Sequence, residues 1–171
     1  SLSQLPKNLF ENLKKLQHSV LYRNNLKKLD KQFKLKIPQL EVLILAGNPI
    51  ELDRDFFTEL SNLKELRING CGIESLPDTV FDSLTQLEVL DLSRNKLTVL
   101  TENIFAKNLK LREIDLRLNK LKKIKVDFTK LKNIERIDLS RNDCINGGSG
   151  YKWAQRALSG LQNDIKSKCN K

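Results

Sequence analysis

Aliphatic residues recur along this chain in a mixed rhythm. In "LEVLDLSRNKLTVL", residues 87–100, leucines stand at 87, 90, 92, 97 and 100, with an asparagine at 95. No single helical or strand period fits the whole stretch. Locally, Leu90 and Leu92 flank Asp91, the alternation of a short strand with two residues pointing in and one out. The stretch is one copy of a repeat, and a repeat found early decides the reading of the whole chain. The pattern returns as Leu40/Leu43/Leu45/Asn48/Ile50, Leu63/Leu66/Ile68/Cys71/Ile73, Leu111/Ile114/Leu116/Asn119/Leu121 and Ile134/Ile137/Leu139/Asn142. A weaker first copy, Leu16/Ser19/Leu21/Asn24/Leu26, carries a serine at an aliphatic place. Phe10, Phe33, Phe57, Phe81, Phe105 and Phe128 run in phase, 23 or 24 residues apart. Each copy thus predicts a short strand, a turn at the asparagine and a phenylalanine on the opposite side. The asparagine, stacked between its equivalents, is placed to hydrogen-bond backbone groups left over at the turn.

These copies resemble the leucine-rich repeat in the 24-residue form of extracellular proteins. The resemblance implies an α/β solenoid, with a curved parallel sheet on the concave side and a C-terminal helical cap. It divides the chain into repeats at 1–143, six plus a partial first, and a cap at 144–171. In the cap, Ala154, Ala157, Leu158, Leu161 and Ile165 recur at helical spacing, and Trp153 is expected to plug the end of the core. Cys144 and Cys169 bracket this segment as the paired cysteines of such caps do, although the familiar vertebrate cap has four. The two-cysteine form is closer to secreted insect members and Toll-like ectodomains. A bridge there implies an oxidising compartment; the alternative is two free thiols in the cytosol. Cys71 occupies an asparagine place and reads as a buried free thiol.

Composition adds limits. No apolar run approaches the ~18 residues of a membrane-spanning helix. "SLSQLPKNLFENL" matches the second half of a repeat and the chain holds no methionine, so further repeats or a cap are expected before Ser1. The net charge of +10 is banded: 9 basic and 2 acidic residues over 1–40, 5 and 12 over 41–106, and 17 and 7 over 107–171. Such bands can steer charged partners. None of the 16 asparagines begins an N-x-Ser/Thr sequon, so no N-glycan is expected here.

The outward strand positions supply the candidate site. At the N-terminal end His18, Val20, Tyr22, Val42, Ile44 and Ala46 form a mostly apolar patch. The repeat does not require apolar residues there, and an exposed apolar patch commonly marks an interface. β-Branched residues also suit strands for their own sake. Towards the C-terminal end the equivalent positions turn charged: Arg67, Asp91, Asp115 and Asp138, with Arg94, Arg117 and Arg141 nearby, read as an Asp–Arg network rather than a metal site. A third feature is "KLKKIKVDFTKLK", where Lys120, Lys122, Lys123, Lys125, Lys130 and Lys132 could hold a polyanion such as sulfated glycan or anionic lipid. No aromatic residue interleaves with them for base stacking, which argues against nucleic acid.

Nothing points to catalysis. His18 is the single histidine and has no paired nucleophile. "NGGSG", residues 146–150, lacks the lysine of a phosphate loop and reads as a cap turn. The reading calls for no cofactor and no metal. It is a non-enzymatic recognition module of an extracellular protein, secreted or the ectodomain of a membrane protein. Its partners would be a protein ligand or co-receptor, with innate immune or receptor-type recognition as the implied role. A polyanion binder and an adhesion or oligomerisation module are the rivals.

Overall fold

A computed structural model describes residues 2–6, 9–10, 12–149 and 158–170. Six strands repeat once per turn of a solenoid: β1 (His18–Val20), β2 (Val42–Ile44), β3 (Glu65–Arg67), β4 (Val89–Asp91), β6 (Glu113–Asp115) and β8 (Arg136–Asp138). They pair in sequence order, every pair parallel. Between them lie α1 (Lys31–Lys36), a 3-10 turn at Phe128–Lys130, and a second small parallel sheet of β5 (Val99–Leu100) and β7 (Lys123–Ile124). β9 (Gly148–Ser149) then pairs antiparallel with β8, and α2 (Leu158–Lys168) closes the far end.

Each strand is three residues long with its middle residue buried, as the Leu-x-Leu alternation requires. Leu43, Leu45, Leu66, Ile68, Leu90, Leu92, Ile114 and Leu116 are essentially inaccessible to solvent. The six phenylalanines are all buried on the other side of the core. The rings of Phe57, Phe81, Phe105 and Phe128 follow one another at centroid separations of 5.9, 6.2 and 6.4 Å. At each buried Phe or Leu the transfer from water contributes about 1.5–3 kcal/mol, and only stacking of neighbouring turns achieves it.

The asparagines solve the polar problem of this geometry. Asn95 Nδ2 donates to the carbonyls of Ile68 and Leu92, both at 2.9 Å, while its Oδ1 accepts from the amides of Cys71 (2.9 Å) and Ile73 (3.1 Å). Asn48, Asn119 and Asn142 repeat the arrangement. One amide therefore ties two successive turns together. Cys71 can do only part of this: its Sγ donates to Leu45 O at 3.4 Å. The Asn48 and Ile50 amides, which lack an asparagine acceptor from the next turn, bond inside their own turn, to Leu45 O and Asn48 O. Burial pushes the Cys71 thiol up, away from a reactive thiolate. On the convex side Asn108, at a place held by Leu60, Leu84 and Leu131 in other turns, reaches back to Phe81 O and Leu84 O in the same manner.

The C-terminal end is held by covalent and polar links. The Cys144–Cys169 disulfide is present. In α2, Leu161 and Ile165 are buried and Leu158 half-buried, while Trp153, Ala154 and Ala157 lie outside the described residues. The sequence reading missed Gln162. It is buried, accepts from Phe128 N at 3.0 Å and donates to Val126 O at 3.2 Å, so it clamps α2 onto the backbone of the last phenylalanine turn. The "NGGSG" segment, expected to be a plain turn, instead supplies the pairing residues of β9.

Asn95→Ala leaves four buried backbone groups without their partner and is expected to cost about 3–4 kcal/mol in urea unfolding, well above an exposed Asn→Ala control. Removing the disulfide as C144S/C169S is expected to cost about 3 kcal/mol by loop entropy, read as a lower unfolding midpoint.

Candidate functional site

Parallel register sorts the outward side chains into columns across the concave face. One column runs Val20, Ile44, Arg67, Asp91, Asp115, Asp138, and its neighbour His18, Val42, Glu65, Val89, Glu113, Arg136. At the N-terminal end these columns bring His18 beside Val42 and Val20 beside Ile44. Val20 is 64% and Tyr22 48% exposed; His18 is exposed, and Val42 and Ile44 are half-buried. The Arg23 guanidinium lies over the Tyr22 ring, 4.9 Å from its centroid. Ala46 does not join this patch. It is 3% exposed, sunk in the turn that follows β2.

The acidic end of the column differs from the sequence reading. Asp91 is half-buried, and Asp115 and Asp138 are only 8% and 3% exposed, so Asp115 is not a free contact on the concave face. The physical reason lies two residues further on. Asp91 Oδ1 accepts from Ser93 N (2.9 Å), Asp115 Oδ1 from Arg117 N (3.1 Å), and Asp138 Oδ1 from both Ser140 N (3.0 Å) and Ser140 Oγ (2.6 Å). Each carboxylate folds back on its own chain to satisfy the amide where the strand ends. Arginines pair with the last two. Arg117 Nε lies 3.0 Å from Asp115 Oδ2, an ion pair without hydrogen-bond alignment, and Arg136 reaches Asp138 at 3.3 Å and Glu113 at 3.7 Å. Arg67 is tied to Glu65 on its own strand, which raises its already high pKa. The sequence reading gave Arg136 no special part, yet it bridges two columns.

Arg94 and Arg141 take no part in this network among the described residues. They belong to a column, Arg23, Gly47, Gly70, Arg94, Leu118 and Arg141, in which every residue has positive φ, between 50° and 72°. The turn after each strand demands that conformation, so this column is set by backbone geometry. Arg94 and Arg141 therefore project as exposed cations beyond the acidic ladder.

The six lysines separate into two groups. Lys120, Lys122, Lys123 and Lys125 are exposed along the segment that contains β7. Lys130 sits beside Asp127, and Lys132 Nζ bonds Thr129 O at 3.0 Å. The Asp127 carboxyl is held below its usual range chiefly by the Thr129 hydroxyl, with Lys130 and Lys166 adding to the effect.

A further feature is a rung of alternating charge at the edge where the strands begin. Glu41 pairs with Lys64 at 3.0 Å, and Arg112 with Glu88 at 3.6 Å and with Glu135 at 2.9 Å. Exposed pairs of this kind contribute little stability. Among the described residues no three His, Cys, Asp or Glu side chains come together as a metal site, and no helix is long and apolar enough to cross a membrane.

Burial raises the pKa of Asp115, and the carboxylates of Asp91 and Asp138 raise it further. A carboxyl whose folded pKa lies above its unfolded value costs stability at neutral pH, and the cost fades as pH falls through the folded pKa. Asn at position 115 keeps an acceptor for the Arg117 amide. Asp115→Asn is therefore expected to be at least as stable as the parent at pH 7 in urea melts, with the difference shrinking as the parent carboxyl becomes protonated in acid.

Comparison with known proteins agrees with this architecture. The family described as leucine rich repeat matches residues 61–121. Human leucine-rich repeat-containing G-protein coupled receptor 5 is 42% identical over 91 residues, which is 53% of this chain and 10% of the receptor. The chain thus spans only a small part of such relatives. Among solved structures, the mouse RP105/MD-1 complex matches with TM-score 0.72 and 29% identity over 83% of this chain and 25% of that one. The TLR13–ssRNA13 complex matches with TM-score 0.73 and 28% identity over 81% of this chain and 21% of that one. The expectation against nucleic acid finds no support here, since that neighbour holds single-stranded RNA. Repeat, parallel sheet, disulfide-linked end and the match over residues 61–121 converge: this chain has the leucine-rich repeat fold, an architecture it shares with the solved RP105 and TLR13 chains.

Proposed function

We propose that this chain is a non-enzymatic, extracellular recognition module that takes a protein ligand or co-receptor on its concave face. Contact would centre on His18, Val20, Tyr22, Val42 and Ile44. One observation carries the reading: Val20 and Tyr22 are 64% and 48% exposed on the same face where the acids further along are closed off by arginines. Exposed apolar side chains carried by a hydrogen-bonded sheet need no backbone ordering on binding and gain by leaving water. Arg94 and Arg141 would supply charged contacts at the other end, with Arg67, Asp91 and Arg117 between.

The relatives support the class of partner. One is a receptor, and the RP105 structure is a complex with MD-1. The disulfide favours an oxidising compartment, and with it secretion or display on a cell surface. Innate immune recognition is the role we favour within that class.

The test uses the chain displayed on beads against a panel of purified extracellular proteins. A protein captured by the parent is expected to lose at least about tenfold in affinity with V20D/I44D, roughly one buried apolar contact replaced by a stranded charge. R94A/R141A is expected to weaken it less. Thermal unfolding checks that both variants stay folded. Equal capture by V20D/I44D and the parent would remove the patch from the reading.

A further inference from the structure

Many cations on this molecule are paired with acids. Lys27, Lys64, Lys96, Arg67, Arg112, Arg117 and Arg136 each have a carboxylate within 4 Å on the same or a neighbouring turn. Among the described cations with no such partner, which include Lys14, Lys15, Lys28, Arg94 and Arg141, Lys120, Lys122, Lys123 and Lys125 form the densest run, four within six residues. We infer that these four ammonium groups form a docking edge for a linear sulfated glycan, a site separate from the concave patch and not dependent on it.

Their placement is fixed by the fold. Leu121, Ile124 and Val126 are buried, which holds the intervening lysines outward. β7 is paired with β5 through Val99↔Lys123 and Leu100↔Ile124, and the amides of Lys120, Lys122 and Lys125 bond Leu97 O, Thr98 O and Leu100 O at 2.9 Å. Four charges thus project from a backbone tied down along its length, so no loop has to be ordered when they meet a ligand. Two of the nearby acids are engaged elsewhere. Asp127 is turned to Thr129 and lies beside Lys130 and Lys166, and Glu74 is paired with Lys96. Asp143, exposed, holds the place of Lys120 one turn on.

The shape of the row selects the partner. The segment leaves the end of the concave turn and runs along one side of a single solenoid turn, so the charges lie in a curved line of up to about 16 Å. A flexible polymer with regularly spaced sulfates can follow such a line, whereas a flat bilayer meets only part of it. Lysine ammoniums act as point charges and suit sulfate without requiring the forked geometry of arginine. Bases need aromatic rings to stack on, and the ring of this turn, Phe128, is fully buried.

The experiment titrates the intact, disulfide-bonded chain into a fluorescent heparin oligosaccharide at several salt concentrations. Binding is expected with a log–log salt slope of about −3, as four released counterions would give. K122Q/K123Q/K125Q is expected to weaken binding about tenfold or more at low salt. K14Q/K15Q/K28Q removes the same charge from exposed lysines elsewhere and should change it less than about twofold. Circular dichroism confirms that both variants remain folded. Equal weakening by the two variants would reduce the effect to net charge and overturn the site. So would no binding by the parent, or tighter binding to phosphatidylserine vesicles or to poly(U) RNA than to heparin.

Discussion

The structure depends on what happens to backbone polar groups where each strand ends. A solenoid whose strands are three residues long turns its chain inside its own core, and the amides and carbonyls of those turns cannot reach water. Asn48, Asn95, Asn119 and Asn142 answer with a side-chain amide that donates to two turns and accepts from the backbone of the turn before. The leucines supply the larger free energy, but they would pack in many arrangements. The asparagines admit one stagger between turns, so they set the register that builds every column of the concave face.

That register separates the fold's needs from its available surface. Three positions per repeat are committed: the asparagine, the left-handed residue after the strand, and the acid that caps the strand end where one is present. Variation is free chiefly at the outward strand positions and along the descending flank. The exposed apolar residues at one end and the unpaired lysines at the other occupy those free positions, and neither relieves a buried polar group. The proposals for protein contact and for glycan contact both begin from that freedom.

Most of the fold was legible in the sequence, because the repeat states it six times. Leu90, Leu92 and Leu116 are buried, Phe10 to Phe128 line the convex side, and Cys144 and Cys169 are bonded. What escaped were contacts that depend on one side chain's reach. Gln162 looks like an ordinary polar helix residue until α2 is laid over Val126 and Phe128. Asp115 and Asp138 alternate as surface residues should, yet a short carboxylate beside a strand end bends back to the amide two residues on. The pattern placed them on the correct face and could not tell a covered side chain from an open one. Likewise, the six lysines of 120–132 look alike in sequence, and only the positions of Asp127 and Thr129 separate Lys130 and Lys132 from the rest.

The reversal at β9 carries a consequence for assembly. Parallel strands can be added one after another without limit, since each new strand presents the same open side as the last. β9 runs against β8, is two residues long, and is followed by a bonded helix. Anything arriving there meets an edge with almost no length to grip, packed against the closing helix. Stacking of further turns in that direction is therefore disfavoured by the shortness of the edge strand and by the helix beside it.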